Sequence, residues 1–359
     1  DVKAVLDKYN NGQVSDFEYW DEVATIRENY RESVKLYLSG EETEVSKDYI
    51  NEVFSAFAAK IDKGIEKAVE MGNGLVPTYF THEAVDFEPV VDENGNPVMS
   101  HYGLQKAVVK EFKTVALPYF LEGPARMMGN VNEETAREMY NNVKKTGLYD
   151  EKLAMYKTSA SIEGCSMEAG RCRAFTPGWQ ERENVFLHME YKYILSMIRA
   201  GICPEFYDTI TRALIPFLDP NMYGRSTLEN SSFIASSVNP NPDIHGRGFV
   251  ARLSGSTTEM LSIWIEMFMG GKVFTYEDGK LVLNFTPKLD EGKVTFRLLS
   301  SCDITYVNET GKNTFGDDAA VVDRVEINGE TVSTENKIVG EMAEAVRDGK
   351  INNITVYFK

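Results

Sequence analysis

Residues 174–191, AFTPGWQERENVFLHMEY, hold the densest group of polar side chains that could do chemistry. Pro177 and Gly178 predict a turn, the charged loop 181–184 follows it, and His188 then opens a segment with helical spacing. A helix N-terminus carries unpaired N–H groups and a partial positive charge, so an adjacent His or Arg could complete a site for an anion. The spacing fits equally well a salt-linked loop with His188 packed in the core.

A second candidate lies in residues 223–258, which are rich in Ser, Asn, Arg and Gly and poor in apolar side chains. Such a composition suits the binding of hydroxylated or anionic ligands better than it suits a core. Ser254 and Gly255 stand directly before a predicted helix, so their N–H groups and hydroxyl could form another anion cradle. The same residue types also make ordinary helix N-caps, and a capped connection is the structural alternative.

Aromatic residues mixed with carboxylates occur at 75–88 and 116–126. Sugar sites use this mixture, because rings stack on the apolar faces of pyranoses while acids accept hydrogen bonds from their hydroxyls. The residues concerned are Tyr79, Phe80, His82, Glu83 and Glu122. Helix ends that meet the surface produce similar mixtures, so the pattern indicates a sugar site without establishing one.

The sequence gives no reason to expect a metal or an organic cofactor. It contains no His-x-x-x-His, Asp-x-Asp or Cys-x-x-Cys spacing. Its four cysteines, at 165, 172, 203 and 302, are too few for a disulfide scaffold in a chain of 359 residues. We therefore expect them to be reduced and buried, and the protein to be cytoplasmic.

Charge and hydropathy exclude several classes of partner. The chain carries 38 Lys and Arg against 55 Asp and Glu, a net charge of −17, and no basic stripe. Phosphate backbones and anionic membranes are bound through clustered cations, so we expect neither nucleic acid nor membrane as a partner. The most apolar stretch, residues 260–269, is interrupted by Glu266 and is too short to span a bilayer.

The helices and strands that must position these residues are predicted from the spacing of apolar residues. Apolar residues recur every three or four positions in 16–38, 45–69, 105–115, 133–144, 186–200, 205–215 and 256–269, which predicts helices. After Gly270-Gly271 short alternating runs separated by Asp-Gly, Glu-Gly and Asn-Gly predict antiparallel strands, with a helix near 339–346. We expect a mainly α fold with an (α/α)6-barrel portion over 1–270, followed by a small antiparallel β domain over 271–359.

Two segments carry a resemblance to a known family. Residues 177–188, PGWQERENVFLH, resemble without a gap the Pro-Gly-x-Lys-Glu-Asn-Gly-x-x-Phe-x-His segment of glycoside hydrolase family 94, which includes cellobiose phosphorylase. Residues 241–256 resemble the Pro-Asp-His-Pro, Gly-rich and Leu-Thr-Gly-Thr series of that family, in the same order. The similarity extends over about 75–285 and favours its β-1,2- or β-1,3-glucan oligosaccharide phosphorylases.

The resemblance implies an (α/α)6 barrel in which inorganic phosphate replaces water as the nucleophile of an inverting displacement, yielding α-glucose 1-phosphate. It implies phosphate binding by His188, Ser254 and Gly255, with Arg182 near the anion, and contact between Glu181 and a glucose. The further candidates for substrate binding are Glu183, Tyr79, His82, Glu122 and Glu229.

The general acid of the family has no counterpart motif here. Asp7 and Asp16 are the nearest carboxylates, and each also fits a helix-capping loop. The chain begins without Met, so we expect it to be part of a larger enzyme, with the acid outside it, and to be inactive alone. We also expect a homo-oligomer or association with the missing part.

Two other functions remain open at this point. One is an inverting glucan hydrolase that uses Glu181 or Glu183 as its base. The other is a carbohydrate-binding or assembly module without catalytic activity.

Overall fold

The computed structural model of the chain describes residues 1–72, 74–251 and 254–359, and of residues 251 and 254 only the backbone. Contacts divide the chain into two units, Asp1–Leu117 and Pro118–Lys359. All the residues singled out around His188 lie in the second unit.

The first unit contains three helices and one long β-hairpin: α1 Val2–Asn10, α2 Asp16–Ser33, α3 Lys47–Met71, β1 Phe80–Pro89 and β2 Ala107–Ala116. Helix α2 begins with a capping box, in which the Ser15 hydroxyl accepts from the Glu18 N–H while the Glu18 carboxylate accepts from the Ser15 N–H. The two strands pair antiparallel from Phe80 opposite Ala116 to Pro89 opposite Ala107.

The first part of the second unit alternates helices with very short strands. In chain order these are α4 Glu122–Met128, α5 Glu133–Lys144, β3 Tyr149–Asp150, β4 Met155–Tyr156, α6 Arg171–Ala174, β5 Val185–Phe186, α7 Leu187–Arg199, α8 Cys203–Ala213, α9 Pro220–Tyr223, β6 Ser231–Ile234, β7 Gly248–Ala251 and α10 Ser254–Met269. Helix α7 is buried over most of its surface and packs against α4, α8 and α10. It is therefore the central element of this part of the unit.

The rest of the second unit is β-rich: β8 Phe274–Glu277, β9 Lys280–Asn284, β10 Gly292–Leu298, β11 Cys302–Asn308, β12 Val322–Ile327, β13 Glu330–Ser333, β14 Lys337–Val339, α11 Glu341–Arg347 and β15 Asn353–Phe358. One sheet has the order β10-β11-β15-β12-β13 and another has the order β14-β9-β8. The turns Asp278-Gly279 and Asn328-Gly329 have positive φ at both residues, as two-residue hairpins require. Alternate residues of these strands and α11 form one apolar core.

The expected fold class is wrong. Within the described residues the chain has 11 helices covering 38% of it and 23% strand in five small sheets, a mixed α/β composition without an (α/α)6 barrel. Short strands and long irregular segments separate α5 from α7 and α8 from α10, so the helices from α4 to α10 do not form a continuous series of stacked helical hairpins. The layer after α10 is not purely antiparallel either, because β15 runs parallel to β11 after the crossover through α11. The domain boundary expected at 270 stays a prediction.

The helix predicted over 105–115 is also wrong, since these residues form β2. Val108, Val109, Phe112 and Val115 fit a helical spacing, but β-branched residues suit a strand better. Pairing with β1 decides the outcome. The other predicted helices are present, with ends shifted by up to five residues.

The cysteines differ in burial. Cys203 and Cys302 are buried as expected, whereas Cys165 and Cys172 are partly exposed, Cys172 in the short helix α6 and Cys165 in the segment before it; all four are unpaired. In the described part of the chain, no helix combines the length and the apolar character needed to cross a membrane.

Candidate functional site

A three-stranded sheet brings the two candidate anion sites together. Strand β6 pairs with β5 on one side and with β7 on the other. Helix α7 follows β5 directly, and α10 begins shortly after β7. The N-termini of α7 and α10 therefore start from the same sheet, and the two helices pack against each other.

His188 and Gly255 meet where these helices begin. A Cβ atom added to Gly255 would lie 2.7 Å from both Cγ and Nδ1 of His188. The imidazole therefore covers the backbone of Gly255, and any other residue at this position would collide with it. The expected proximity of the two residues is present, while phosphate binding by them stays a prediction. The side chain of Ser254, together with residues 252 and 253, lies outside the described part of the chain.

Glu259 fixes the orientation of the ring. Its Oε1 lies 3.3 Å from Nε2 of His188 and 3.9 Å from Nζ of Lys192. Glu259 is one helical turn after Gly255, and Lys192 is one turn after His188, so the four residues form two facing i, i+4 pairs. Nε2 faces this carboxylate, while Cγ and Nδ1 are the ring atoms nearest to a Cβ built at Gly255. Sequence analysis missed Glu259 and Lys192, although their i+4 spacing from His188 and Gly255 was a readable signal.

The group around His188 is partly open to solvent. The side chain of His188 is 33% exposed, against 24% for Lys192 and 16% for Glu259. His188 is therefore not a core histidine. A cationic side chain, an imidazole and the N–H groups of a helix N-terminus at one place can bind a small anion.

A row of aromatic side chains lies next to the group around His188. Phe186, Phe233 and Phe249 occupy opposed positions on β5, β6 and β7, so they share one face of the sheet. Phe186 stacks on Phe233 at 5.0 Å, and Trp179 meets Phe249 at 4.4 Å. Phe186 also meets the His188 ring edge-on at 5.8 Å. All four aromatic side chains are partly exposed, which is what stacking on a sugar requires.

In the charged loop 181–184, Arg182 makes structural contacts with neighbouring residues. The Arg182 side chain is 5% exposed and donates to the carbonyls of Arg173 and Phe175 at 2.9 and 3.0 Å, besides pairing with Glu163. Both terminal nitrogens of Arg182 are thus engaged and its Nε is buried, so the geometry does not favour the expected role of Arg182. The structural alternative, a salt-linked loop with His188 packed in the core, is therefore correct for Arg182. It is not correct for His188, which is partly exposed.

The two glutamates of the loop are also engaged. Both carboxylate oxygens of Glu181 accept from Arg171 at 2.7 Å. Glu183 is buried, and its backbone is held by Ser159 and Ser236. Neither arrangement offers a carboxylate that could activate a water molecule without rearrangement.

The remaining sugar-site candidates belong to several different elements of the chain. Glu229 is exposed in a loop and pairs with Arg225 at 3.2 Å, while Glu122 begins α4 and pairs with Arg126 at 3.4 Å. Tyr79 and His82 belong to the first unit, where Nδ1 of His82 lies 3.2 Å from the Thr114 hydroxyl.

Asp7 and Asp16, the weak candidates for a general acid, are held in ion pairs. Asp7 contacts Lys3 at 2.7 Å, and Asp16 contacts Lys67 and the Tyr9 hydroxyl, each at 2.7 Å. Partial burial raises the pKa of Asp16, but the hydrogen bonds from Lys67 and Tyr9 outweigh it and leave this pKa below the ordinary value. A carboxyl that ionises so readily is poorly suited to donate a proton near neutral pH.

A buried carboxyl, that of Glu190, lies on the same helix as His188. Glu190, two residues after His188, is fully buried and accepts from the Tyr156 N–H at 2.8 Å. Burial raises its pKa to about 8; the bond from Tyr156 opposes this shift and nearby Asp150 adds to it. Glu190 is therefore largely protonated at neutral pH, and it anchors β4 to α7 without reaching solvent.

Among the described residues, no group of three or more His, Cys, Asp or Glu side chains is placed to hold a metal ion. In comparisons with known proteins, no family model matches the chain, and no curated protein matches it significantly. The resemblance to glycoside hydrolase family 94 therefore stays a prediction from the two quoted segments.

Proposed function

We propose that this chain carries the phosphate-binding part of a glycoside phosphorylase that cleaves β-1,2- or β-1,3-linked glucan oligosaccharides with inversion, giving α-glucose 1-phosphate. The observation that carries the proposal is the contact between the His188 ring and the Gly255 backbone at the N-terminus of α10. We place the reaction in the cytoplasm, because the four cysteines are unpaired thiols.

Phosphorolysis requires the protein to position the phosphate and the sugar and to supply a proton donor. Phosphate attacks the anomeric carbon as the glycosidic C–O bond breaks, and an acid donates a proton to the departing oxygen. The phosphate must first be desolvated and held by donors. In this proposal the His188 ring and the N–H groups of α10 supply those donors, Glu259 orients the ring through Nε2, and no described residue is assigned as the acid.

Phosphate binding tests the proposal directly. Titration calorimetry of the full chain with inorganic phosphate should show binding, and His188→Ala should weaken it by about 10- to 100-fold, the effect of losing a charge-assisted hydrogen bond. His101→Ala is the matched control, because the proposal gives His101 no part in phosphate binding. Equal phosphate affinity in the chain and in His188→Ala would contradict the proposal.

Product analysis separates this reaction from hydrolysis. The complete enzyme should release α-glucose 1-phosphate from β-glucan oligosaccharides only when phosphate is present. A reducing sugar released equally well without phosphate would indicate a hydrolase instead.

A glucan-binding module is the second candidate, and the aromatic row on β5, β6 and β7 favours it. This function predicts that oligosaccharides bind the chain while phosphate does not. Trp179→Ala should then abolish oligosaccharide binding, and His188→Ala should leave it intact.

A further inference from the structure

We propose that the first unit contains a binding site for a monosaccharide that carries an anionic group, either a phosphate or a carboxylate. The site is a cavity enclosed by α1, α2, α3 and β1. The inference goes beyond the proposed function, because it concerns a second site in a different unit and does not depend on the group around His188. It rests on the aromatic rings that line this cavity and on the cation beside them.

The cavity has a volume of about 280 Å³. Tyr9 of α1, Lys60 of α3 and His82 of β1 line it together with one side of α2. Sites for drug-sized ligands have volumes of roughly 300–1,000 Å³. The cavity is slightly smaller, so it suits one sugar ring with one substituent rather than a longer oligosaccharide. The sugar site predicted around residues 75–88 contributes His82 to it.

Aromatic rings form much of the cavity lining. The ring centroids of Tyr9 and Tyr19 lie 4.7 Å apart, and both side chains are partly exposed. Trp20 follows Tyr19 on α2 and is 51% exposed, although its ring meets Phe112 edge-on at 5.4 Å. The exposed faces of such rings can stack on the apolar face of a pyranose. The cavity therefore offers a surface for a sugar ring.

Lys60 supplies a cation that has no carboxylate partner among the described residues. Its Nζ lies 5.0 Å from the centroid of the Tyr19 ring and 5.7 Å from that of the Tyr9 ring, and its side chain is partly buried. An ammonium group has three N–H donors, and contact with ring faces leaves them able to bind an anion. Lys60 can therefore hold the anionic group of a ligand that stacks on the neighbouring rings.

The other charged groups at the cavity already have partners. Both oxygens of Asp16 accept from Lys67 at 2.7 Å, and Oδ1 also accepts from the Tyr9 hydroxyl at 2.7 Å. The charge of Asp16 is thus balanced by Lys67, so it opposes a bound anion only weakly. Nε of Arg27 pairs with exposed Glu28 at 3.0 Å, and solvent weakens an ion pair of this kind. The terminal nitrogens of Arg27 are therefore available to the same anion.

A monosaccharide with an anionic group uses both features of the cavity. Its ring covers Trp20 or Tyr19, while its phosphate or carboxylate accepts from Lys60. A neutral sugar would leave the Lys60 ammonium group without a counter-ion, and inorganic phosphate would leave the rings uncovered. Neither alone matches the lining as well as a ligand that combines them.

Titration calorimetry with glucose 6-phosphate and with glucuronate tests the site. The measurement uses the full chain with His188→Ala, so its result does not depend on the proposed phosphate site. At least one of the two ligands should bind with a millimolar or lower dissociation constant, about 10-fold more tightly than glucose or inorganic phosphate. The tighter ligand identifies the preferred anionic group. No binding of either up to about 10 mM, or equally tight binding of glucose, would overturn the proposal.

Two variants locate the bound sugar. Lys60→Met keeps an apolar side chain over the tyrosine rings but removes the cation, so it should weaken binding of the anionic sugar about 10-fold or more. Lys47→Met is the control, because Lys47 is exposed at the start of α3 and does not line the cavity. Trp20→Ala should weaken binding about 3- to 10-fold, while Tyr37→Ala, at an exposed position, should leave it unchanged.

Far-ultraviolet circular dichroism checks that each variant is folded. Trp20 is half exposed, so Trp20→Ala gives a second result that does not depend on the packing of Lys60 on the tyrosines. Affinity for the anionic sugar that is unchanged in both Lys60→Met and Trp20→Ala would show that the sugar binds elsewhere, and the proposal would be wrong.

Discussion

At the scale of single residues, the backbone of Gly255 lies so close to the His188 ring that no side chain fits between them. We expect Gly255→Ala to push the imidazole away from the N-terminus of α10 and to weaken phosphate binding by at least about 10-fold. Calorimetric titration with phosphate measures this effect. Gly164→Ala is the control, because a Cβ at Gly164 meets no atom within 4 Å. Unchanged phosphate affinity in Gly255→Ala would show that the contact has no part in binding.

The carboxyl of Glu190 should make the stability of the fold depend on pH. Its pKa is about 8 in the folded chain against an ordinary value of 4.5, so unfolding between these values releases a proton. The free energy of unfolding should therefore fall as pH rises through this window, by at most ~1.4 kcal/mol per pH unit, and level off above pH 8. Urea unfolding at several pH values between about 5 and 8 measures the slope.

Glu190→Gln provides the comparison for that slope. Glutamine keeps an acceptor for the Tyr156 N–H but cannot ionise, so the variant should lose much of the fall in stability between pH 5 and 8. Glu138→Gln, at an exposed position on α5, should keep the slope of the original chain. A slope that is identical in all three proteins would exclude Glu190 as its source.

At the scale of elements, the packing of α7 on α10 sets the distance between His188 and Gly255. Ile263 is fully buried on α10, whereas Leu261 on the same helix is exposed. We expect Ile263→Ala to lower the free energy of unfolding by about 2–5 kcal/mol and Leu261→Ala by less than about 0.5 kcal/mol. Urea denaturation checks both values. Comparable losses in the two variants would mean that α10 is not buried along the side containing Ile263.

The spacing of apolar residues predicted the secondary structure correctly where it fits only one type of element. The prediction of a helix over 133–144 is confirmed, because the buried side of α5 recurs at the expected spacing in Ala136, Met139, Tyr140 and Val143. The Asp-Gly and Asn-Gly hairpins are also present, since their turn geometry is local. Residues 105–115 were misassigned because their spacing fits both a helix and a strand, and pairing with the distant β1 settles the choice.

At the scale of the whole molecule, the architecture could not be predicted from local patterns. A succession of amphipathic helices is compatible with a barrel, but strands of two to four residues such as β5, β6 and β7 leave almost no periodic signal. Those strands nevertheless decide the site, because they bring His188 beside Gly255 across a long separation in sequence. The residue types of the candidate site were therefore predictable, whereas its internal geometry, including Glu259, depended on the sheet.

The division into two units predicts that residues 118–359 fold and bind phosphate on their own. His188, Lys192, Gly255 and Glu259 all lie in this segment, as do the buried helix α7 and the apolar core of the C-terminal sheets. In residues 1–117, by contrast, the buried apolar side chains of the described part are Val5, Leu6, Ala56, Ala68 and Leu75. The segment 118–359 should unfold cooperatively in urea, with a phosphate affinity within about threefold of the full chain, while residues 1–117 alone should be only marginally stable. Loss of phosphate binding in a cooperatively folded 118–359 segment would show that the first unit contributes to the site, and the four-residue group would then be incomplete.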